Sequence, residues 1–166
     1  MMVIIGFALA LVAVGVDQLT KFLIYGTATK VVFGDLLWFK STLNTGVAFS
    51  MFEGNSVVFI VITSLAAIAL AYLILSKKFF NKMCYKVCLG LILGGTIGNL
   101  IDRIFFKGVR DFIYLKFLNF AIFNIADAII VVAVAVFCVF MIIDTFKKED
   151  KKEEKTNDLK EEEWLN

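Results

Sequence analysis

The chain has 166 residues, of which 60% are hydrophobic and 19% are charged, and its net charge is only +2. Because soluble domains average about 45–50% apolar residues, this composition excludes an ordinary soluble domain and indicates an integral membrane protein. The sequence contains no histidine, which excludes Ser/His and Cys/His catalysis and histidine-ligated metal sites. The length is that of one domain.

Four apolar segments are each long enough to cross a bilayer, which takes about 20 residues in a helix. They are Val3–Leu23, Ser56–Ser76, Tyr85–Phe106 and Ala121–Ile143. The first segment has neither a basic amino-terminal region nor a convincing small-residue cleavage site, so a retained helix is favoured over a signal peptide. The sequence therefore predicts an all-α integral membrane protein with four transmembrane helices.

Two charged residues interrupt the end of the first segment. Asp17 and Lys21 are four residues apart, so they share one face of a helix and can form an ion pair. A structural ion pair and a direct role in catalysis both remain open for these two residues.

The region after the first segment differs from a simple loop. Residues 30–49 are rich in β-branched and aromatic side chains and are interrupted by Gly34-Asp35 and Thr45-Gly46. This pattern favours short strands joined by turns, which would form a small cradle within about residues 26–55; the alternative is a loop packed on the helices. Such an apolar ribbon can lie in the membrane interface, with Trp38 at the level of the headgroups.

The third segment is the richest in small and polar residues. The three glycines in Gly94–Gly98 allow another helix to approach closely. Asn99 and Arg103 are four residues apart and share a face, and Asp102 lies between them in sequence. A charge pair at a helix end is often only an anchor, but this cluster lies opposite two further aspartates and favours a functional site.

Basic residues predict the orientation of the helices. One cluster lies between the second and third segments and another follows the fourth: Lys77, Lys78, Lys82 and Lys86, then Lys147, Lys148, Lys151 and Lys152. Because basic residues are retained in the cytoplasm, we expect both clusters and both termini inside, and residues 26–55 and 107–120 outside. The densely charged tail, residues 147–166, is expected to be a solvated extension that is helical in part.

Asp111 and Asp127 are the most informative residues of the chain. Asp111 lies in the outer connection and Asp127 opens the fourth apolar segment, a costly place for an ionisable group unless it has a function. The two aspartates flank one short connection at the outer surface and can therefore meet. Asn124, three residues before Asp127, falls on the same helix face and can orient that carboxylate.

Two close carboxylates suggest a definite chemistry. They cannot both ionise easily, so they share one proton. The ionised group can take a proton from water while the protonated group polarises a carbonyl. With no histidine and no metal-binding or reactive serine or cysteine pattern, the residues favour aspartyl hydrolysis at the membrane surface.

Two other classes of function remain open from the residues alone. Intramembrane Asp, Asn and Arg are also typical of a small cation- or proton-coupled transporter. The chain has no internal repeat, which transporters of this kind commonly use, and its acidic residues are interpreted as clustering at the outer side. A non-catalytic membrane scaffold is the third reading, and it leaves the aspartates unexplained.

Five pieces of the chain together resemble the lipoprotein signal peptidases, also called type II signal peptidases. They are Asp17-Gln18-Leu19-Thr20-Lys21, Asn44-Thr45-Gly46-Val47-Ala48-Phe49-Ser50, Gly98-Asn99-Leu100-Ile101-Asp102-Arg103, Val109-Arg110-Asp111-Phe112-Ile113 and Phe123-Asn124-Ile125-Ala126-Asp127-Ala128. Their order among four apolar segments is specific and covers nearly the whole membrane part. Arg110 departs from the pattern, since an apolar residue is frequent there, as does the lack of a proline before Phe123. The charged tail lies outside the resemblance.

The resemblance implies a membrane aspartyl endopeptidase that removes the signal peptide of bacterial prolipoproteins by cutting before a diacylglyceryl-modified cysteine. It implies a catalytic dyad of Asp111 and Asp127. It also implies that polar residues line and support the substrate site: Asn44, Asn99 and Arg103 line it, and Asp17, Lys21, Gly46, Asp102 and Asn124 support it.

The resemblance also implies a fold and a location. The fold is a four-helix membrane bundle with a small extracytoplasmic β-cradle, placed in the bacterial cytoplasmic membrane with its active site at the outer face. We expect a peptidase domain over residues 1–146, a cytoplasmic tail, and inhibition by globomycin-type antibiotics. The expected partners are the prolipoprotein substrate and membrane lipids; the chain is expected to be monomeric, without a cofactor, a metal or a nucleic-acid partner.

Overall fold

A computed structural model describes the backbone of residues 1–46 and 56–164 and the side chains up to residue 149. Its elements are α1 (Met2–Ile24), β1 (Lys30–Phe33), β2 (Leu37–Asn44), α2 (Ser56–Leu75), α3 (Met83–Phe106), β3 (Val109–Leu115), a 3₁₀ turn (Lys116–Leu118) and α4 (Ile125–Trp164). The predicted combination of four membrane helices and a small sheet is confirmed. Residues 47–50 of the second family piece lie outside the described part.

The helix α3 is the centre of the bundle. In the apolar stretch of α3, 56% of the residues are buried inside the protein. The corresponding share in α2 is only 6%. All four described helices are long and apolar enough to cross a membrane, and the apolar surfaces of α1, α2 and α4 that do not face α3 are therefore available to lipid. Because α3 is surrounded by protein, it can hold the polar side chains that lipid would exclude.

The glycines of α3 allow its neighbours to approach on two faces. A methyl group at Gly94 would lie 2.6 Å from the carbonyl oxygen of Ala10 on α1. One at Gly95 would lie 2.8 Å from the carbonyl oxygen of Ala126 on α4. Such separations are too short for a side chain, so these positions bring α1 and α4 close to the same segment of α3. The predicted close approach at these glycines is confirmed.

The three strands form an antiparallel sheet in the order β1-β2-β3. The pairing of β2 with β3 places Thr42 opposite Asp111 and Asn44 opposite Val109. The sequence pattern did not indicate β3, so the sheet extends beyond the predicted range of residues 26–55. This third strand joins the cradle to the region of the predicted dyad.

The fourth helix begins later than predicted. It starts at Ile125 rather than near Ala121, because the preceding residues pair with β3: the Phe123 N–H donates to the Ile113 carbonyl at 3.0 Å, and the Ile113 N–H donates to the Phe123 carbonyl at 2.8 Å. At its other end the helix continues through the charged tail to Trp164. Asp127 therefore lies in the first turn of a long helix.

Polar contacts also join the helices at the other end of the bundle. Lys82 pairs with Asp144 at 2.5 Å, and the Tyr85 hydroxyl donates to the same carboxylate at 2.8 Å. Asp144 follows Asp127 by 17 residues in α4, about 25 Å along the helix axis. The expectation that all acidic residues of the membrane part cluster at one side is therefore wrong.

Lys86 does not belong to an exposed basic cluster. It is only 1% exposed. Its ammonium group donates to the carbonyls of Leu73, Ile74 and Ser76 at 2.9, 2.7 and 2.8 Å. These carbonyls lie in the last turn of α2 and at Ser76, the residue that follows it, where helical partners are lacking. Lys86 thus links α3 to the end of α2.

Candidate active site

The two predicted aspartates are brought together by one asparagine. Asp111 is on β3 and Asp127 is in the first turn of α4. The Asn124 side-chain amide donates to Asp111 Oδ1 at 2.6 Å. The Asn124 backbone N–H donates to Asp127 Oδ2 at 3.2 Å. The residue that the sequence suggested would orient Asp127 therefore contacts both carboxylates.

The local geometry at Asn124 is that of a helix cap. The Asp127 backbone N–H donates to Asn124 Oδ1 at 3.0 Å, while Asp127 accepts from the Asn124 N–H. Such reciprocal bonds between the cap residue and the third helical residue satisfy two N–H groups that lack helical partners. A carboxylate in the first turn is further stabilised by the helix dipole. The start of α4 therefore fixes the position of Asp127.

Two further asparagines each donate a hydrogen bond to one of the aspartates. Asn44 Nδ2 donates to Asp111 Oδ2 at 3.0 Å, and Asn99 Nδ2 donates to Asp127 Oδ1 at 2.7 Å. The Gly46 N–H donates to Asn44 Oδ1 at 3.2 Å, which fixes the orientation of that amide. The site is thus assembled from β2, β3, α3 and α4.

Burial changes the proton affinity of Asp111. Asp111 is only 1% exposed. Its removal from water raises the pKa of its carboxyl group to about 6. The hydrogen bonds from Asn44 and Asn124 oppose this rise, whereas the nearby charge of Asp127 adds to it. A carboxyl group of this kind can hold a proton under conditions in which an exposed aspartate is fully ionised.

Behind the aspartates lies a buried cluster of charges around Lys21. Its ammonium group is 2.8 Å from Asp17 and 3.2 Å from Asp102, and all three side chains are fully buried. It also donates to Asn99 Oδ1 at 2.9 Å. Because Lys21 holds the oxygen of this amide, the Asn99 nitrogen points toward Asp127. The predicted pair of Asp17 and Lys21 is confirmed and is connected to the dyad through Asn99.

Asp17 also contacts the start of α4. Its Oδ1 accepts the Ala126 N–H at 3.0 Å, which satisfies another N–H of the first turn. A methyl group at Gly98 would overlap the Asp17 carboxylate, so this glycine leaves room for the buried acid. The contact between α1, α3 and α4 is therefore polar at this level of the bundle.

Arg110 is directed toward Asp102 rather than toward its neighbour Asp111. Its Nη2 lies 2.7 Å from Asp102 Oδ1, and its backbone N–H donates to Asp102 Oδ2 at 2.9 Å. The guanidinium also lies 4.2 Å from the centre of the Phe106 ring. The residue that departs from the family pattern thus attaches β3 to the end of α3.

Gln18 is a participant that sequence reasoning missed. Its side-chain amide donates to Asp17, to the Gly98 carbonyl and to Asp102 at 3.1, 3.0 and 3.2 Å. Its oxygen accepts from Arg110 at 2.8 Å. The signal available in the sequence was its position inside the piece Asp17–Lys21, next to a buried acid.

Arg103 is near the site but does not pair with the aspartates. Its guanidinium donates to the Asn99 carbonyl at 3.4 Å and lies 5.9 Å from the centre of the Phe59 ring. Among the described residues it forms no ion pair with a carboxylate. This half-buried cation is therefore available to another acceptor.

A cavity of about 510 Å³ opens beside the aspartates. Asn44, Asp111 and Asp127 form its polar end. The rest of its wall is apolar: Leu115, Phe120, Ala121, Ile122, Phe123, Ala128, Val131 and Val132. Asn99 and Arg103 are not in this wall. The arrangement places two acidic groups at the end of a slot that suits an apolar chain.

The described side chains, in residues 1–46 and 56–149, include no recognisable metal-ligand set. No group of three or more His, Cys, Asp or Glu side chains is arranged there to hold a metal ion. Cys84, Cys88 and Cys138 are all free thiols.

Comparison with known proteins identifies relatives over most of the chain. A family model described as "Signal peptidase (SPase) II" matches residues 9–143. The lipoprotein signal peptidase of Enterococcus faecalis is 34% identical over 147 residues, which cover 86% of this chain and 91% of that protein. The lipoprotein signal peptidase of Halalkalibacterium halodurans is 37% identical over 153 residues, covering 88% of this chain and 97% of that protein.

Solved structures show the same architecture. One, a bacterial membrane enzyme determined by the in meso method at 2.3 Å, superposes with a TM-score of 0.76 and 31% identity over 86% of this chain and 90% of that one. A second, determined by the same method at 1.9 Å, gives a TM-score of 0.73 and 30% identity over 82% and 91% of the two chains. The similarity thus extends over most of both chains.

Proposed function

The chain belongs to the signal peptidase II family, and on this basis we propose that it is a membrane protease that removes the signal peptide from bacterial prolipoproteins. The family predicted from five short pieces of sequence is confirmed. The four membrane helices agree with a multi-pass protein of the bacterial membrane. Neither the comparisons nor the described residues support the alternatives of a transporter or a scaffold.

We propose that Asp111 and Asp127 catalyse the cleavage as a pair. The observation that supports this most directly is that Asn124 bonds to both carboxylates, at the polar end of an apolar cavity. Because the same asparagine holds both acids, this arrangement supports a pair that acts together on one water molecule and one peptide group.

The chemistry follows that of a carboxyl pair with one shared proton. The ionised carboxylate takes a proton from water, whose oxygen bonds to the carbonyl carbon of the substrate, while the protonated carboxyl donates to the carbonyl oxygen. When the tetrahedral intermediate collapses, the C–N bond breaks and the amine receives a proton from the pair. The products are a new carboxyl group and a new amine, and the proton is assigned to the pair rather than to either residue.

The surrounding polar residues are proposed to position the pair and the substrate. Asn44 and Asn99 each hold one carboxylate, and the buried cluster of Asp17, Lys21 and Asp102 holds Asn99 in turn. Arg103 is half-buried and close to Asn99. We propose that it binds a carbonyl of the substrate near the cut, since among the described residues it pairs with no carboxylate.

The apolar cavity supports a lipid-bearing substrate. We propose that the enzyme cuts before a cysteine that carries diacylglycerol, because the slot beside the aspartates is apolar along most of its wall. Each methylene that leaves water contributes about 0.8 kcal/mol, so a few of them dominate binding. Efficient cleavage is expected only with the diacylglyceryl-modified precursor, measured against the same precursor without lipid; equal kcat/KM for the two would contradict this.

We propose that the chain acts as a monomer with both termini in the cytoplasm and the aspartates at the outer face. The basic residues after α2 and within the tail support this orientation.

The dyad is tested with Asp111→Asn and Asp127→Asn. Asparagine keeps the shape and most hydrogen bonds but cannot exchange a proton, so each variant is expected to lose at least about 1,000-fold in kcat while remaining folded. The double variant should be scarcely slower than either single one, because the two groups act as a unit. The measurement is specific activity per folded molecule on a lipidated prolipoprotein, with a thermal-shift check.

The matched control is Asp35→Asn, which removes an exposed carboxylate from the hairpin between β1 and β2. It should retain normal turnover. Near-normal turnover of Asp111→Asn or of Asp127→Asn would instead show that the residue concerned is not catalytic, and Asp102 would be the next carboxylate to examine.

A further inference from the structure

A second cavity lies at the end of the bundle opposite to the dyad. It has a volume of about 430 Å³ and lies between the loop that joins α2 to α3 and the far part of α4. Its wall includes Asp144, which follows Asp127 by 17 residues and is therefore about 25 Å away along α4. This cavity is separate from the proposed peptidase site.

The charge of the wall is strongly positive. Lys78, Lys82 and Lys148 contribute three positive charges, and Asp144 is the one acidic side chain in the wall. Asp144 is already paired with Lys82 at 2.5 Å and accepts from the Tyr85 hydroxyl at 2.8 Å. Within the described residues, Lys78 and Lys148 form no ion pair. Among the described residues, two exposed lysines thus face one cavity whose carboxylate, Asp144, is already paired with Lys82.

The position of the cavity indicates the class of anion. It lies where α2 has ended at Leu75, at the boundary between the apolar helices and water. Its rim includes Phe79 and Met141, which are 44% and 43% exposed and would contact hydrocarbon. An anion with attached acyl chains gains from this rim, whereas a free phosphate does not.

We propose that this cavity binds the phosphate headgroup of an anionic phospholipid in the membrane leaflet at this end of the protein. Lys78 and Lys148 hold the phosphate from the two sides of the cavity. The acyl chains continue along the exposed apolar surface of α4. A bound lipid would therefore connect the loop after α2 to α4. This proposal goes beyond peptide cleavage and does not depend on it.

The test uses the full chain purified in a neutral detergent. Phosphatidylglycerol and phosphatidylcholine with identical acyl chains are added, and bound lipid is measured by native mass spectrometry. The variant is Lys78→Gln combined with Lys148→Gln, and the matched control is Lys30→Gln combined with Lys40→Gln, which removes the same charge from the β-cradle. A lysine near an anionic lipid contributes a factor of about five, so the first variant should bind phosphatidylglycerol roughly 30-fold more weakly and the control should not.

Three results would overturn the proposal. They are equal affinity of wild type for the two lipids, unchanged affinity of the Lys78/Lys148 variant for phosphatidylglycerol, and displacement of the lipid by inorganic phosphate at equal concentration, which would indicate a soluble-anion site. Equal melting temperatures without lipid establish that the variants are folded. If the double variant does not fold, each single variant is expected to bind about fivefold more weakly.

Discussion

Asn124 shows how one residue can determine the geometry of the proposed catalytic pair. Its backbone N–H donates to the Asp127 carboxylate, and its side-chain oxygen accepts from the Asp127 N–H. Its side-chain nitrogen donates to Asp111. The bond to Asp127 was predictable from sequence, because a cap and the third helical residue are always neighbours. The bond to Asp111 was not, since it depends on the pairing of Phe123 with Ile113, which no local pattern encodes.

The buried state of Asp111 predicts a dependence of stability on pH. Its pKa is raised from 3.8 to about 6 by burial, so between these values the folded protein holds a proton that the unfolded chain releases. The free energy of unfolding therefore falls as the pH rises through this window, with a contribution of at most about 3 kcal/mol. Asp111→Asn should remove this slope and raise the melting temperature at neutral pH.

The measurement is the melting temperature of the detergent-solubilised protein from pH 4 to pH 8. Asp35→Asn serves as the control, since this exposed carboxylate pairs with Lys116 at the surface. It should leave the slope of the wild type unchanged. If the melting temperature of Asp111→Asn changes with pH as steeply as that of the wild type, the proton is held by another group.

At the level of elements, the sequence predicted helices better than strands. A long apolar segment predicts a membrane helix whatever the helix packs against. Likewise, the glycines at positions 94, 95 and 98 correctly indicated that other elements approach α3 closely. The strand β3 is seven residues long, and its partner β2 is distant in the chain. Residues 121–123 are apolar enough to extend a helix, but the pairing of Phe123 with β3 overrides that preference.

The attachment of β3 to α3 gives a second prediction. Arg110→Met removes the bonds from the guanidinium to Asp102 and to Gln18. Breaking a buried ion pair from one side typically costs about 3–5 kcal/mol, so the melting temperature should fall by several degrees. Activity per folded molecule should fall less than in Asp111→Asn, because Arg110 touches neither carboxylate of the dyad.

Lys116→Met is the matched control, since Lys116 forms an exposed pair with Asp35 and exposed pairs contribute about 0–1 kcal/mol. Thermal unfolding and turnover are measured for both variants in the same detergent. An unchanged melting temperature in Arg110→Met would show that the bonds from Arg110 to Asp102 and Gln18 contribute nothing to stability.

At the level of the whole molecule, the two ends of the bundle differ in chemistry. One end holds the aspartates, the β-cradle and exposed apolar side chains such as Phe33, Phe117 and Phe120. The other end holds the lysine-rich cavity and the long charged extension of α4. The positive-inside rule predicts orientation from the clustering of lysines at this second end. That clustering was visible in the sequence.

The orientation is tested by labelling single cysteines in a background that lacks Cys84, Cys88 and Cys138. Asn55→Cys, in the connection before α2, should react with a membrane-impermeant thiol reagent applied to intact cells. Asn81→Cys, in the loop before α3, should react only after the membrane is opened. The reverse pattern would place the aspartates on the cytoplasmic side and exclude their proposed access to exported prolipoproteins.

The contact of Lys86 with the end of α2 has a consequence for how the protein enters the membrane. The last carbonyls of α2 receive their hydrogen bonds from a side chain of α3, so α2 is complete only when α3 lies beside it. The lysine, in turn, has these carbonyls as its hydrogen-bond acceptors once it is removed from water. We therefore expect the translocation machinery to release α2 and α3 into the bilayer together, as one helical hairpin.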